Sequence, residues 1–362
     1  MNTKTKKLTA AVAVLLAAAG AGLAWQQGLA QPGPPQRDMP LDATMRQEVV
    51  TQLNAQMQRH YVDEAKAAQL AQALQARLQQ GDFDRITSAQ KLAETLTEAM
   101  QQQLHDKHLE VRYFEKAIPE DTGQDQTQED EARDLVEWQR FNFGFAGLSR
   151  LRGNIGYLNL RQFGRPEFVA GRIEAAMTLL ADTQALVIDL RHNEGGDPDS
   201  VMLLASYLFD QPTHLSDIVW PRENNRTDAR WTMAQAPGRR YGQSRPVYLL
   251  TSEDTFSAGE DFAMALKDTG RATLVGEVTG GGAHPGDRRR LTAHFMMNVP
   301  AGRTVSPVTH TDWEGVGVKP DIEVSEKKAM DVAQVEILKR LIAAEKDADW
   351  QQRLKRRLAE LD

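Results

Sequence analysis

The chain has 362 residues, a formal net charge of −7, a hydrophobic fraction of 41% and no cysteine. This length can bury more than one hydrophobic core, so we expect two domains. The absence of cysteine excludes disulfide scaffolds, thiol nucleophiles and cysteine-ligated metal sites, and the negative charge disfavours nucleic acid as a partner.

The first thirty residues have the composition of a secretory signal peptide. Three lysines in residues 1–7 precede an apolar segment from Leu8 to Ala24, and Gly28-Leu29-Ala30 offers a small-residue cleavage site. The apolar segment, about 17 residues long, is at the short limit for a membrane span. We therefore expect a periplasmic or secreted protein. An uncleaved signal would instead tether it to a membrane.

Residues 31–113 are predicted to form a small helical bundle. Apolar residues recur at helical spacing in three segments, which is typical of amphipathic helices that pack together. Asp63 is a predicted cap for the second helix, and Thr87-x-x-Gln90 fits a capping box for the third. The three apolar stripes are Met45, Val49, Leu53 and Met57; Leu70, Leu74 and Leu78; and Leu92, Leu96, Met100 and Leu104.

An acidic linker at 114–150 precedes an α/β domain that we place at 151–325. Strands are predicted at 155–160, 185–190 and 247–251, and helices at 166–180, at 199–209 and from Ser257 onward. Such alternation implies a largely parallel sheet flanked by helices, which binds ligands at the carboxyl ends of its strands. Residues 326–362 form a predicted helical tail that either docks on this core or pairs with another copy in a homo-oligomer.

Ser257 stands at the turn between the last of these strands and the following helix. The first amides of a helix carry free N–H groups and a partial positive charge, which favour an alkoxide or an oxyanion. Ser257 therefore fits a nucleophile. Together with Glu260 it equally fits the N-cap of a capping box.

Two glycines, Gly195 and Gly196, follow directly after the apolar strand at 185–190. Glycine permits the torsions and the close approach that turn backbone N–H groups toward a bound oxygen. We predict Gly195 and Ala258 as the two oxyanion donors, with Gly196 as the alternate. Ordinary turn geometry would explain the same glycines.

Four motifs carry a family resemblance: DLRHNEGG, TFSAGEDFA, GRATLVGEVTGGGAHP and WEGVGVKPDIEV. In this order and spacing they resemble the core of the C-terminal (tail-specific) processing peptidases, in the branch related to interphotoreceptor retinoid-binding protein. The resemblance implies a serine peptidase with a ClpP/crotonase-like core, peptide or protein substrates and no cofactor. Many members insert a PDZ module, but the roughly 40 residues between Tyr113 and Asn154 are too few for one.

The resemblance also supplies candidates for the general base. One version of the family has a lysine in the loop that here reads Thr279 to His284, where this chain has glycine. The other version, similar to the tricorn core, uses an upstream histidine and a late glutamate, which correspond to His108 and Glu314. Lys107 replaces the serine that precedes that histidine. His284 is the alternate base, and an imidazole in either place could take the serine proton while a carboxylate fixes its tautomer.

These observations predict an exported serine peptidase that forms an acyl-enzyme on Ser257, with His108 as base and Glu314 as orienting carboxylate. An alternative is a non-catalytic module that binds a hydrophobic ligand, such as a retinoid or fatty acid, on the same scaffold; a catalytically idle partner protein is a third. His108 would then be a structural residue and Glu314 a solvated loop carboxylate. The remaining histidines show no ligand pattern, so no metal site is predicted.

Overall fold

The computed structural model describes residues 36–120 and 135–361. The predicted signal peptide and residues 121–134 of the acidic linker lie outside the described residues. The elements below belong to one compact unit that begins at Asp38. No helix among the described residues combines the length and apolarity that crossing a bilayer requires.

Three amphipathic helices come first: α1 (Ala43–His60), α2 (Glu64–Gln79) and α3 (Ala89–Leu104). The carboxylate of Asp63 accepts a hydrogen bond from the N–H of Lys66, so the predicted cap of α2 is confirmed. The predicted cap of α3 was wrong by one residue. Ser88 caps this helix, and the N–H of Gln90 donates to Asp38 instead, at 3.0 Å.

The core of the helical region is completed by a distant hairpin. Strand β1 (Glu110–Tyr113) pairs antiparallel with β10 (Phe295–Pro300), which pairs with β9 (Gly286–Arg290). Alternate residues of β10 are buried among the apolar faces of the helices. The helices therefore share their core with a segment of the predicted α/β domain, because three short helices leave an apolar face that a strand can cover.

A six-stranded sheet forms the second layer, in the order β12-β8-β7-β4-β3-β2. All neighbouring pairs are parallel except β2 with β3. The prediction of a largely parallel sheet flanked by helices is confirmed. The strands are β2 (Phe145–Leu151), β3 (Ile155–Leu160), β4 (Ala185–Asp189), β7 (Val247–Thr251), β8 (Thr273–Gly276) and β12 (Ile322–Glu323).

Helices cover both faces of this sheet. One face packs against α4 (Pro166–Leu180), α5 (Pro198–Ser206) and α6 (Ala258–Asp268). The other face packs against α7 (Glu326–Ala344) and α8 (Ala348–Ala359), so the predicted helical tail docks on the core. Within β4, side chains alternate between the two faces, which explains its continuous apolar sequence.

Two features of the α/β region differ from the sequence prediction. Strand β2 begins at Phe145, inside the segment predicted as linker, since its alternating exposed residues resemble a polar connection. A small antiparallel sheet of β5 (His214–Trp220), β6 (Arg226–Trp231) and β11 (Arg303–Val305) was not predicted, because half of the residues in its edge strand β6 are charged. This sheet places β5 beside α6.

The carboxyl ends of β4 and β7 lie side by side. Asp189 pairs in register with Leu250, so the chain segments that leave both strands enter the same cleft. Arg191 lies in the segment that leaves β4, and it holds this segment in place by donating hydrogen bonds to the Asp189 carboxylate at 2.6 and 2.9 Å. The glycine pair and Ser257 therefore meet at one edge of the sheet, as the strand order requires.

Candidate active site

Ser257 occupies a strained turn at the start of α6. Its backbone torsions are φ 54° and ψ −121°, a conformation that costs a non-glycine residue about 1–3 kcal/mol. Neighbouring hydrogen bonds hold this turn: the N–H of Phe256 donates to the Asn193 carbonyl at 2.8 Å, and Thr255 Oγ1 donates to the Leu190 carbonyl at 2.7 Å. Strain of this kind, held in place by the surrounding structure, is typical of functional positions.

Glu260 ties the Ser257 turn to the glycine loop. This side chain is fully buried and accepts four hydrogen bonds: from the N–H of Ser257 (2.9 Å), from Thr279 Oγ1 (2.5 Å), and from the N–H groups of Gly281 and Gly282 (both 2.7 Å). Burial raises the pKa of Glu260 to about 7, and these donors oppose that rise. The predicted capping box is present, and its glutamate also organises the loop opposite the serine.

The two glycines after β4 approach the serine closely. A Cβ on Gly195 would lie 2.6 Å from the Cβ of Ser257, and one on Gly196 would lie 2.0 Å from the Phe163 carbonyl oxygen. Both residues have positive φ, at 93° and 131°. Only glycine both lacks the Cβ that would clash here and adopts these positive φ values without strain.

The backbone hydrogen bonds show which of the three predicted oxyanion donors is already occupied. The N–H of Gly195 already donates to Asn193 Oδ1 at 2.9 Å, so it does not fit the predicted role. Within the described part of the chain, the N–H groups of Gly196 and Ala258 have no acceptor at hydrogen-bonding distance. The predicted alternate, Gly196, is therefore the better partner for Ala258.

His108 is a largely buried imidazole beside the serine turn, with its side chain 12% exposed. Its ring centroid lies 4.6 Å from that of Phe256, the residue before Ser257. Burial lowers the pKa of His108 to about 4, against the opposing charge of Asp106, so the ring is neutral at pH 7. Neither ring nitrogen has a hydrogen-bond partner among the described residues. Such unsatisfied buried groups are rare in native proteins and often mark function.

His284, the alternate base, lies in a carboxylate cluster. Its Nδ1 is 2.9 Å from Asp106 Oδ2 and 3.6 Å from Glu314 Oε2. Burial lowers the pKa of His284, but the hydrogen bond to Asp106 and the charge of Glu314 outweigh it, so the pKa is raised overall. Burial, followed by the charge of Asp106, raises the pKa of Glu314 to about 7. The structure thus pairs Glu314 with His284 and not with His108.

Asp106 connects the two histidines and has no counterpart among the predicted site residues. It is 1% exposed and accepts hydrogen bonds from the hydroxyl of Tyr61 (3.1 Å), from the N–H of His108 (3.0 Å) and from His284. Its position two residues before His108 was the available signal. The sequence could not show that the chain folds His284 onto the same carboxylate.

Asp106, His284 and Glu314 could also hold a metal ion, because their ligand atoms lie within 4.8 Å of one another. The fold assembles this group from three distant segments, which is why the sequence showed no ligand pattern. A metal ion would have to replace the existing contact between His284 and Asp106.

A small cavity of about 40 Å³ adjoins the serine. Ser257, Gly196, Ala258 and Gly282 line it, whereas neither His108 nor His284 does. No ring nitrogen of a described histidine is within hydrogen-bonding distance of the Ser257 hydroxyl. Gly282 separates the cavity from His108, since a Cβ at this position would lie 2.7 Å from the Cε1 atom of that ring.

The lowered pKa of His108 predicts an acid-sensitive fold. The unfolded state binds a proton on this residue below pH 6.5 and the folded state only below about 4, so folding stability contributed by this group falls as pH drops through that window. We expect His108→Asn to remove about 3 kcal/mol of the stability change between pH 7 and pH 4. Denaturant unfolding at several pH values measures this.

His105→Asn is the matched control for this experiment. His105 is exposed and ends α3 in a left-handed conformation that asparagine also adopts. Its substitution should leave the pH dependence unchanged. Identical pH dependence in wild type and His108→Asn would contradict a buried neutral imidazole.

Comparison with known families accounts for both parts of the chain. Residues 154–324 match the model of peptidase family S41. Residues 43–140 match the model of the N-terminal domain that accompanies this peptidase domain in eukaryotic interphotoreceptor retinoid-binding protein. Residues 154–324 belong to peptidase family S41. The resemblance carried by the four sequence motifs is thereby confirmed. The S41 match contains Ser257, Gly196 and Glu314, whereas His108 and Asp106 lie in the N-terminal match.

Relatives in the S41 family include processing peptidases. The chain is 33% identical over 170 residues to carboxyl-terminal-processing peptidase 2, chloroplastic, of Arabidopsis thaliana, which covers 46% of this chain and 31% of the relative. It is 30% identical over 194 residues to the carboxyl-terminal-processing protease of Synechocystis sp., which covers 52% and 42%. The chain thus spans less than half the length of these relatives.

Two solved structures share the S41 fold at low sequence identity. A CPAF mutant aligns with a TM-score of 0.59 and 12% identity, over 83% of this chain and 98% of that structure. A lipoprotein from Streptococcus agalactiae aligns with a TM-score of 0.55 and 14% identity, over 86% and 99%. The likeness therefore extends through the helical region as well as the central sheet.

Proposed function

We propose that this S41 protein is an exported serine peptidase that hydrolyses peptide bonds through an acyl-enzyme on Ser257. The observation that carries the proposal is the geometry at the start of α6. A hydroxyl sits in a strained turn, and the unoccupied N–H groups of Gly196 and Ala258 line the same cavity. Two amides so placed would stabilise the oxyanion of a tetrahedral intermediate.

In this proposal His108 is the general base. It takes the hydroxyl proton as Ser257 Oγ attacks the carbonyl carbon, and it returns that proton to the leaving amine when the peptide bond breaks. It then deprotonates the water that attacks the ester carbonyl, and it returns this proton to Ser257 Oγ as the ester bond breaks and the acid product leaves. Its neutral state and its free ring nitrogens support this role, and a side-chain movement past Gly282 would bring it to the serine.

His284 is the weaker candidate for the base. Its Nδ1 is hydrogen-bonded to Asp106, as that of a triad base would be, but its raised pKa keeps a larger fraction of the ring protonated near neutral pH. We propose that Glu314 acts through this cluster, orienting His284, while Asp106 fixes the backbone of His108. The cluster then provides negative charge that stabilises His108 after it accepts the proton.

Export is proposed from residues 1–30, whose composition is that of a signal peptide. The substrate in that compartment would be a peptide or protein, in keeping with the processing peptidases to which the chain is similar.

The proposal predicts that Ser257→Ala reduces hydrolysis of a fluorogenic peptide library at least about 1,000-fold, because the remaining oxyanion donors cannot replace the nucleophile. We expect His108→Ala to have a comparable effect and Lys267→Ala to have little, since Lys267 pairs with Asp321 away from the cavity. Full activity in the Ser257→Ala protein would contradict the proposal.

One observation favours a second candidate, a binding module: residues 43–140 match a domain found in retinoid-binding proteins. The size of the cavity at Ser257 argues against a binding module, because about 40 Å³ is far below the several hundred Å³ of typical small-molecule sites. Saturable quenching of protein fluorescence by retinol that persists in Ser257→Ala would support the binding module.

A further inference from the structure

The cavity beside Ser257 has apolar walls and one buried carboxyl group. Ile218 from β5 and Trp313 form part of the wall. Asp261, four residues after Ser257 on α6, lines the cavity on the same side of the helix as the serine. This acid has no part in the proposed mechanism, so its position next to the nucleophile needs another explanation.

The hydrogen bonds of this carboxyl group are incomplete in the described part of the chain. Asp261 is only 6% exposed, and its Oδ1 atom has no hydrogen-bond partner there. Burial raises its pKa to about 6, while a side-chain hydrogen bond from Ser216 and the charge of Arg230 oppose the rise. More than nine in ten buried polar groups in native proteins are satisfied, so the unsatisfied Oδ1 atom indicates a missing donor.

An ordinary ion pair does not supply that partner. The guanidinium of Arg230 is instead hydrogen-bonded to Asp199 at the start of α5. Leaving a buried carboxylate oxygen unpaired is costly, and a ligand that donates a hydrogen bond would remove the cost. The cavity is the open route by which such a donor would reach Asp261.

We propose that Asp261 determines the specificity of this site and that the cavity accepts a short hydroxyl-bearing side chain, serine or threonine, on the residue whose carbonyl Ser257 attacks. The oxyanion donors Gly196 and Ala258 line the same cavity. The cavity would therefore hold the side chain of the substrate residue whose carbonyl oxygen these two donors bind. This inference rests on the proposed peptidase function and adds a substrate class to it.

Size and wall chemistry select the hydroxyl class. A cavity of about 40 Å³ has room for roughly three water molecules, which is comparable to a side chain of two or three heavy atoms and too little for lysine or arginine. The hydroxyl would donate to Asp261, and the methyl group of threonine would contact apolar walls such as Ile218. Valine has the same shape as threonine but leaves Asp261 Oδ1 without a donor.

The test compares isosteric ligands on a protein that cannot turn over. Tripeptide acids ending in threonine or valine are titrated into Ser257→Ala by calorimetry, because the terminal carboxylate fixes the register at the two free amides. A second pair ends in serine or 2-aminobutyrate. We expect the hydroxyl member of each pair to bind about 10- to 100-fold more tightly.

Two double variants locate the source of the preference. Ser257→Ala combined with Asp261→Asn should reduce the ratio between threonine and valine, and the combination with Asp261→Leu should bring it near one. Thermal unfolding monitors folding in each case. Because the first titrations use intact Asp261, the proposal can fail even if a double variant does not fold.

Equal affinity within the isosteric pairs, tighter binding of a tripeptide ending in lysine, or a preference that survives Asp261→Leu would each overturn the proposal. Failure of the peptidase function is a different result. It would appear as absent hydrolysis in the wild type, while the binding preference of the Ser257→Ala protein could still be present.

Discussion

Replacing Glu260 with alanine is expected to abolish peptidase activity and to lower the free energy of unfolding by about 4 kcal/mol. The substitution leaves four donors without an acceptor, among them the N–H groups of Ser257 and Gly282 and the hydroxyl of Thr279. Water entering the space would offset part of each loss. Since the same carboxylate holds the serine turn and the glycine loop, both walls of the cavity should move.

Denaturant unfolding and peptide hydrolysis measure the two effects. Glu260→Gln should be intermediate, because one amide oxygen remains while the NH₂ group faces backbone donors. Glu336→Ala is the control: this partly exposed glutamate on α7 pairs with Lys339 and should change stability by less than about 0.5 kcal/mol. A Glu260→Ala protein with normal stability and activity would contradict the role assigned to this carboxylate.

Gly282→Ala should reduce activity about 100-fold. The new Cβ would lie 2.3 Å from two atoms of the Phe256 ring and 2.7 Å from Cε1 of His108, so both rings must shift. Displacement by about 1 Å of a group that positions the reaction can cost two orders of magnitude in rate. Because the clash falls between the proposed nucleophile and base, kcat should fall more than KM rises.

Gly171→Ala separates this effect from a general intolerance of alanine. Gly171 lies within α4, nothing lies within 4 Å of its added Cβ, and alanine there should stabilise the helix by up to about 1 kcal/mol. If Gly282→Ala kept wild-type kcat, the placement of His108 against this glycine would have no bearing on catalysis.

Much of the fold could be predicted because the apolar residues recur at regular spacing in the sequence. The apolar strands β4 and β7 and the helices α4, α5 and α6 follow patterns that local sequence determines, and the tail helices carry a clear apolar face. Strand β2 and the sheet containing β6 were missed because an exposed strand with charged residues has no apolar alternation. Only pairing with a neighbour makes such a segment a strand.

The candidate site was predictable where one short segment determines the geometry. Ser257 and the glycine pair fall at strand ends, and the parallel sheet brings them together. Contacts between residues that are far apart in the sequence could not be predicted from such short segments. The sequence did not show that Asn193 takes the N–H of Gly195, that Asp106 links His284 to His108, or that Glu260 reaches across to the glycine loop.

The most direct test of the account is to treat the protein with a fluorophosphonate and to locate the adduct by mass spectrometry. We predict a single modified residue, Ser257, and loss of labelling in His108→Ala but not in Lys267→Ala. An adduct on a different serine, or labelling of Ser257 that is unchanged without His108, would contradict the nucleophile and base assigned here.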